Sequence, residues 1–233
     1  MFKNKKLIIC YIVLILMFIL MGNSNNNPSP YIERIFKPIT FGDGTFYYSL
    51  IIVMVLVYFC LKYINSENEN YFINSFFSRF IATIILINCF TWLGGYCTKF
   101  YKSFSNNLNS IYMNRDETSV CFDYQENKLS LTGEISLLNC SNEVQEFNIT
   151  IKSPSLLKDY IKEDYIVLKN KVKLYPKEER SIYINEEFDY DIKSENIGYS
   201  SQAFEYILFN DEYKVVFERS IDDYNIDYLD SKY

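Results

Sequence analysis

Carboxylates and thiols carry nearly all the catalytic or metal-binding potential of this sequence, because histidine is absent from its 233 residues. Without imidazole the chain lacks the commonest general base and the commonest metal ligand. Ser-His-Asp and Cys-His nucleophile arrangements are therefore excluded within it. None of the six cysteines falls in a CxxC or similar ligand spacing. Zinc would have to be held by thiolate and carboxylate alone. Cys10, Cys60 and Cys89 sit inside apolar runs, where a reduced thiol behaves as a small hydrophobe. Cys97 stands at the end of one run, which leaves Cys121 and Cys140 in the polar remainder.

Those two thiols would bond only in an oxidising space. The alternation around them points Phe122 and Leu137 to a core and leaves both cysteines off the inward set. A hairpin centred near Glu126-Asn127 places Cys121 opposite a residue near Thr132, not Cys140. Two separate thiols are the expectation, with a disulfide as the alternative.

Acidic residues cluster at Glu186-Glu187-Phe188-Asp189-Tyr190-Asp191 and in the last stretch. Calcium wants several oxygens converging on one point, and the spacing lacks the Gly and terminal Glu of a calcium loop. Solvated loop charge is the plainer reading. Paired carboxylates also hydrolyse glycosides, but nothing in the spacing brings two of them together. No cofactor and no metal are expected, and the chain is not expected to be an enzyme. Asn139-Cys140-Ser141 and Asn148-Ile149-Thr150 match glycosylation acceptors, which matter only on a eukaryotic secretory route. The abundance of Ile, Asn, Lys and Tyr suggests a bacterial source instead.

Charge is divided unevenly. Residues 1 to 100 carry 4 acidic and 8 basic side chains, a net of +4. From Tyr101 onward there are 25 acidic and 15 basic, a net of −10. A negative body argues against a nucleic-acid partner, since phosphate neutralisation needs clustered Lys and Arg. The positive first part suits anionic headgroups.

The elements that position these groups divide the same way. Three apolar stretches, Leu7 to Met21, Phe46 to Ile64 and Phe80 to Tyr96, are expected as membrane helices within residues 1–97. The first is short, so it is either a retained span or a cleaved signal-peptide core. The loop Gly22 to Thr45 is rich in Asn, Ser and Pro and reads as connector. Its segment Tyr31 to Ile39 is either an ordinary loop or an interfacial one, with Tyr31, Ile35 and Phe36 dipping into lipid. Polar and small residues in the third run, Asn88, Thr91, Gly94 and Gly95, are candidate contacts for a partner helix. Lysines 3, 5 and 6 ahead of the first run favour a cytoplasmic N-terminus. The C-terminal domain of this multi-pass cell-membrane protein is then extracytoplasmic.

Phe100, Phe104, Leu108 and Ile111 recur at helical spacing, so residues 98–118 read as a helical stalk or linker. From Ser119 the period becomes two. Seven short strands over 119–219 point to an all-β domain, an immunoglobulin- or fibronectin-like β-sandwich. Gly133 is a candidate bulge, and Asn210-Asp211-Glu212 suits a tight hairpin. Pro154 to Tyr165 has a helical signature, capped by Ser153. Residues 220–233 read as an acidic mobile tail.

The expected function is that of a membrane-anchored, non-enzymatic surface protein. It would present the sandwich to another protein or an envelope polymer, with the lipid bilayer as its first partner. Candidate binding loops carry Glu126, Glu143, Asp189 and Asp191. Exposed tyrosines are a second candidate surface, because 22 of them occur. The alternative is an accessory subunit of a membrane transport or signalling complex.

Overall fold

Apolar helices come first and antiparallel sheets second. The computed structural model describes residues 5–41, 44–68, 75–125, 128–153, 163–189, 197–201 and 204–219. Two units partition the chain. One holds Met1–Ser24 with Ser29–Thr98, and the other holds Asn25–Pro28 with Lys99–Tyr233.

In the first unit, α1 (Lys5–Met21) packs on α3 (Tyr48–Asn68). Met17, Val53 and Val57 meet at helical spacing, with Ile32 and Phe90 closing the cluster. The Phe18 and Phe90 rings stand edge to face at 5.5 Å. Ile32 belongs to α2 (Tyr31–Ile35), a single turn whose Tyr31, Ile35 and Phe36 are exposed. A small hairpin, β1 (Ile39–Phe41) with β2 (Gly44–Phe46), follows. The last helix, α4 (Phe76–Ser103), has 28 residues and so rises about 42 Å at 1.5 Å each. Among the described residues two helices, within α3 and α4, are long and apolar enough to cross a membrane. The 17-residue α1 rises about 25 Å, short of a roughly 30 Å hydrocarbon core.

The helical stripe extended to Ile111 on sequence grounds, but α4 ends at Ser103. A 3₁₀ turn (Asn107–Ser110) follows, and β3 (Ile111–Gln125) begins at Ile111, ahead of the expected Ser119. Leu108 and Ile111 are fully buried in the β core instead of lining a helix. Asparagine is a poor helix former, and the Asn-rich run Asn106 to Asn109 lets the chain turn there.

Nine strands follow in the described residues. One sheet has the order β8-β4-β3-β9, with β4 Lys128–Asn139, β8 Glu179–Asp189 and β9 Ile197–Ser201. The other runs β11-β10-β5-β6, and β7 also pairs with β5. Its strands are β5 Gln145–Lys152, β6 Tyr165–Val167, β7 Val172–Leu174, β10 Tyr206–Phe209 and β11 Lys214–Phe217. β6 and β9 were not among the seven strands expected. Tyr165 opens β6 and does not end a helix; the rest of the expected helix, 154–162, lies outside the described residues. So does the acidic tail, 220–233. Inward side chains of both sheets, among them Phe122, Leu131, Phe147, Ile149 and Phe217, share one core. Each large side chain so buried contributes roughly 1.5–3 kcal/mol.

The expected hairpin register holds, since Cys121 pairs with Thr132. The irregularity lies across from Gly133, in β3. Register passes from Asn114↔Ser136 to Ser119↔Glu134, so β3 carries extra residues there. The Thr118 hydroxyl staples this bulge, accepting from Ser136 N at 3.1 Å and donating to Asn114 O at 2.7 Å. Gly133 has φ +151°, and a Cβ there would strike the Ser119 carbonyl and lie 2.9 Å from Val120 Cα. All six cysteines are unbonded. Cys140 is buried (4% exposed), contrary to its expected outward position, because it follows β4 where the parity of the strand no longer applies.

The Asn-rich connector is partly core. Asn25 is buried and its amide forms a two-way pair with the Met113 backbone, donating to O and accepting from N at 2.7 Å each. This completes an edge of β3 that β9 does not reach, since β9 pairs only with residues 120 to 124. Asn26 O accepts from Glu218 N at 2.6 Å, and the Asn27 amide donates to the Glu218 carboxylate at 2.5 Å. The buried Lys102 ammonium, in the last turn of α4, donates to Asn26 Oδ1 (2.7 Å), Ile111 O (2.7 Å) and Asn109 O (3.1 Å).

Candidate binding groove

Strand parity leaves an unusual set of side chains on the outer face of the five-stranded sheet. Tyr206 and Leu208 of β10 point to the core, so Ile207 and Phe209 point away. Register then aligns one row, Val167, Thr150, Ile207 and Val216, across β6, β5, β10 and β11. A second row places Asn148 and Lys214 on either side of Phe209. Thr150 and Ile207 are each only 6% exposed although they lie off the core side. They line the floor of an open groove of about 460 Å³, which Tyr165 and Tyr213 flank. Asn210, Asp211, Glu212 and Lys214 line its end at the β10–β11 hairpin.

Both flanking tyrosines are 39% exposed and both are held. The Tyr165 hydroxyl donates to Glu205 Oε1 at 3.1 Å. Glu205 is itself paired with Lys152 at 3.2 Å. Burial, then the Glu205 bond and charge, push the Tyr165 phenol above its ordinary pKa, so the hydroxyl stays a donor. Tyr213 is set by the hairpin. Asn210 Oδ1 accepts from Glu212 N (3.1 Å) and Tyr213 N (2.8 Å), and Asn210 N donates to Tyr213 O (2.9 Å). This is the asparagine turn chemistry expected of that tripeptide. Tyr165 pairs with Lys152 at one end of β5, whereas Tyr213 lies one residue beyond Lys214, which is level with Asn148 near the other end. The two therefore stand diagonally apart, about 14 Å across the strands and roughly 17 Å along them.

The candidate loops do not converge. Glu143 is exposed in the turn before β5; its carbonyl accepts from the Asn139 amide at 2.7 Å. Asp189 is exposed at the end of β8, opposite Lys128. Lys128 and Asn139 are the two ends of β4, so the Glu143 and Asp189 loops are separated by roughly 35 Å of strand. Glu126 and Asp191 lie outside the described residues. The Glu143 loop lies at the groove's end of the sheet, where the Asn210 amide donates to Glu146 O at 3.3 Å. Asn139 is fully buried and its amide also bonds Leu174 O and Tyr175 O, so this acceptor triplet serves packing.

In α4, Asn88 and Thr91 are exposed and turn back on their own helix. Asn88 donates to Ile84 O and Thr91 to Asn88 O, both at 2.9 Å. A Cβ on Gly94 would meet Gly22 Cα at 3.7 Å, whereas Gly95 faces open space. Among the described residues no three Cys, Asp or Glu side chains gather where a metal ion could be held.

The groove itself was not anticipated. Its signal was present as Ile207 and Phe209, two apolar residues on the parity that faces away from the core. Chemically it offers aromatic side chains, an apolar floor, and two carboxylates and an ammonium at one end. No protein-family model, no curated protein and no solved structure matches the chain.

Proposed function

We propose that the chain is a membrane-anchored, non-enzymatic surface protein whose β unit binds another protein or an envelope polymer. Three helices, α1, α3 and α4, form the anchor, and the two sheets form an immunoglobulin- or fibronectin-like sandwich. The N-terminus is cytoplasmic and the sandwich extracytoplasmic, in a bacterial cell. The observation that carries the reading is the pre-positioned aromatic groove on a body that follows two helices apolar enough to span a bilayer. Fixed aromatic side chains offer contact area at low entropic cost. A groove of this size lies in the range of small-ligand sites.

Labelling in intact cells tests placement. A membrane-impermeant maleimide should modify a Glu143→Cys variant from outside, in a background where the six native cysteines are replaced by Ser, while modification only after lysis overturns the surface reading. Binding is tested by Tyr213→Ala: partner capture that survives it unchanged counts against the groove as the binding surface.

A second reading, an accessory subunit of a membrane transport or signalling complex, is favoured by one feature. Asn88, Thr91 and Gly95 share an exposed stripe of α4 with open space at Gly95. An amide in lipid gains from a partner helix. Asn88→Leu with unchanged co-purification of membrane partners would remove this reading.

A further inference from the structure

We infer that the groove is a subsite for ammonium-bearing amino-sugar units of an envelope polysaccharide. The inference rests on the reading of the β unit as a surface-presented binding body and names the ligand class of that site. Three aromatic side chains, Tyr165, Phe209 and Tyr213, line the groove, and Asp211 and Glu212 close its hairpin end. An organic cation is attracted to the face of an aromatic ring, and separately to a carboxylate by charge. A pyranose ring adds an apolar C–H face, suited to Ile207 and the tyrosine planes, and hydroxyls that donate to carboxylates. Amine, apolar face and hydroxyls occur together in an amino sugar.

Charge supports the same class. The lining carries two carboxylates against the single ammonium of Lys214, a net of −1. Residues from Tyr101 onward carry 25 acidic and 15 basic side chains, so the surrounding field also draws a polycation. A polymer with acetylated amines would forgo the charge attraction to Asp211 and Glu212. A groove of about 460 Å³ lies in the size range of small-ligand sites and holds a short stretch of polymer.

Full-length protein in nanodiscs of zwitterionic lipid, titrated with a fully de-N-acetylated glucosamine tetramer, provides the test. The N-acetylated tetramer should bind at least about 10-fold more weakly. The double variant Asp211→Asn, Glu212→Gln preserves side-chain shape and should weaken the glucosamine tetramer by about 10-fold, with the loss shrinking at high salt. Tyr165→Ala and Tyr213→Ala should each cost about 2- to 30-fold. Lys214→Gln should strengthen binding about 2-fold, which a folding defect could not produce. Equal binding of the acetylated tetramer, or binding unaffected by the double variant, overturns the inference. So does tetralysine binding as tightly with the same sensitivity to the variants, which would assign the groove to a basic peptide. Failure of the sugar while Tyr213→Ala still abolishes partner capture sinks this inference and leaves the surface reading standing. Absence of outside labelling at Glu143→Cys sinks that reading instead.

Discussion

The helical unit and the β unit use similar side chains and place them oppositely. In the first, Ile9, Ile12, Ile51, Phe59, Phe77 and Ile85 are more than half exposed. In the second, Phe122, Leu131, Phe147, Ile149 and Ile151 are wholly buried, and the exposed apolar residues are chiefly tyrosines and valines. A sheet hides one face against another sheet, so alternation sorts its residues into core and surface. A helix that is apolar all round has no such division and calls for apolar surroundings on every side, in a protein core or a membrane. Burial therefore means different things in the two halves. In the β unit it comes from tertiary packing, whereas the helical unit leaves many apolar side chains exposed, two of its helices being long and apolar enough to cross a membrane.

The comparison can be broken most directly by taking the lipid substitute away. Full-length protein moved from detergent into plain buffer should aggregate, and recovery as a dispersed monomer by light scattering would end the contrast. Next in size is a matched pair of truncations followed by thermal unfolding in detergent. Phe147→Ala should cost about 3–5 kcal/mol, because it opens a cavity in a packed core. Ile85→Ala in α4 should cost under about 1 kcal/mol, since its side chain packs on nothing that unfolding would expose. Equal losses would show α4 to be packed like a core helix.

A smaller effect sharpens the boundary between the halves. Asn25→Ala should destabilise the β unit by about 1–3 kcal/mol, leaving the Met113 N–H and C=O unpaired. Fast amide exchange at Met113 in the variant would confirm the cause, and an unchanged melting profile would reduce Asn25 to a spacer. Smallest of all is Tyr206→Phe. Tyr206 is fully buried, and its hydroxyl has no hydrogen-bond partner among the described residues. Burial accordingly raises its pKa. Removing that oxygen should change stability by less than about 1 kcal/mol, in the stabilising direction. A loss above about 2 kcal/mol would mean the oxygen has a partner.

Much of the β unit was legible because period-two alternation is a local signal. Phe147, Ile149 and Ile151 announce β5, and the Cys121–Thr132 pairing followed from one turn. β6 was missed because three residues, Tyr165 to Val167, are too few to display a period. The start of β3 was missed because Leu108 and Ile111 fit a helical stripe as well as a strand entrance. Of the candidate loops, those of Glu143 and Asp189 stand at opposite ends of β4. Sequence proximity to a turn says nothing about which turns meet.

Composition and spacing alone determined that the chain has no histidine chemistry, that its first hundred residues hold long apolar runs, and that its remainder alternates like sheet. These are properties of single residues and short windows. Only the tertiary structure decided that Asn25 closes a strand edge from a distant part of the chain, that Lys102 is held by three oxygens, and that Tyr165 and Tyr213 frame one groove. Each of those depends on strand order and register. Register is settled by the whole core at once, because a slip of one residue would turn every inward side chain outward.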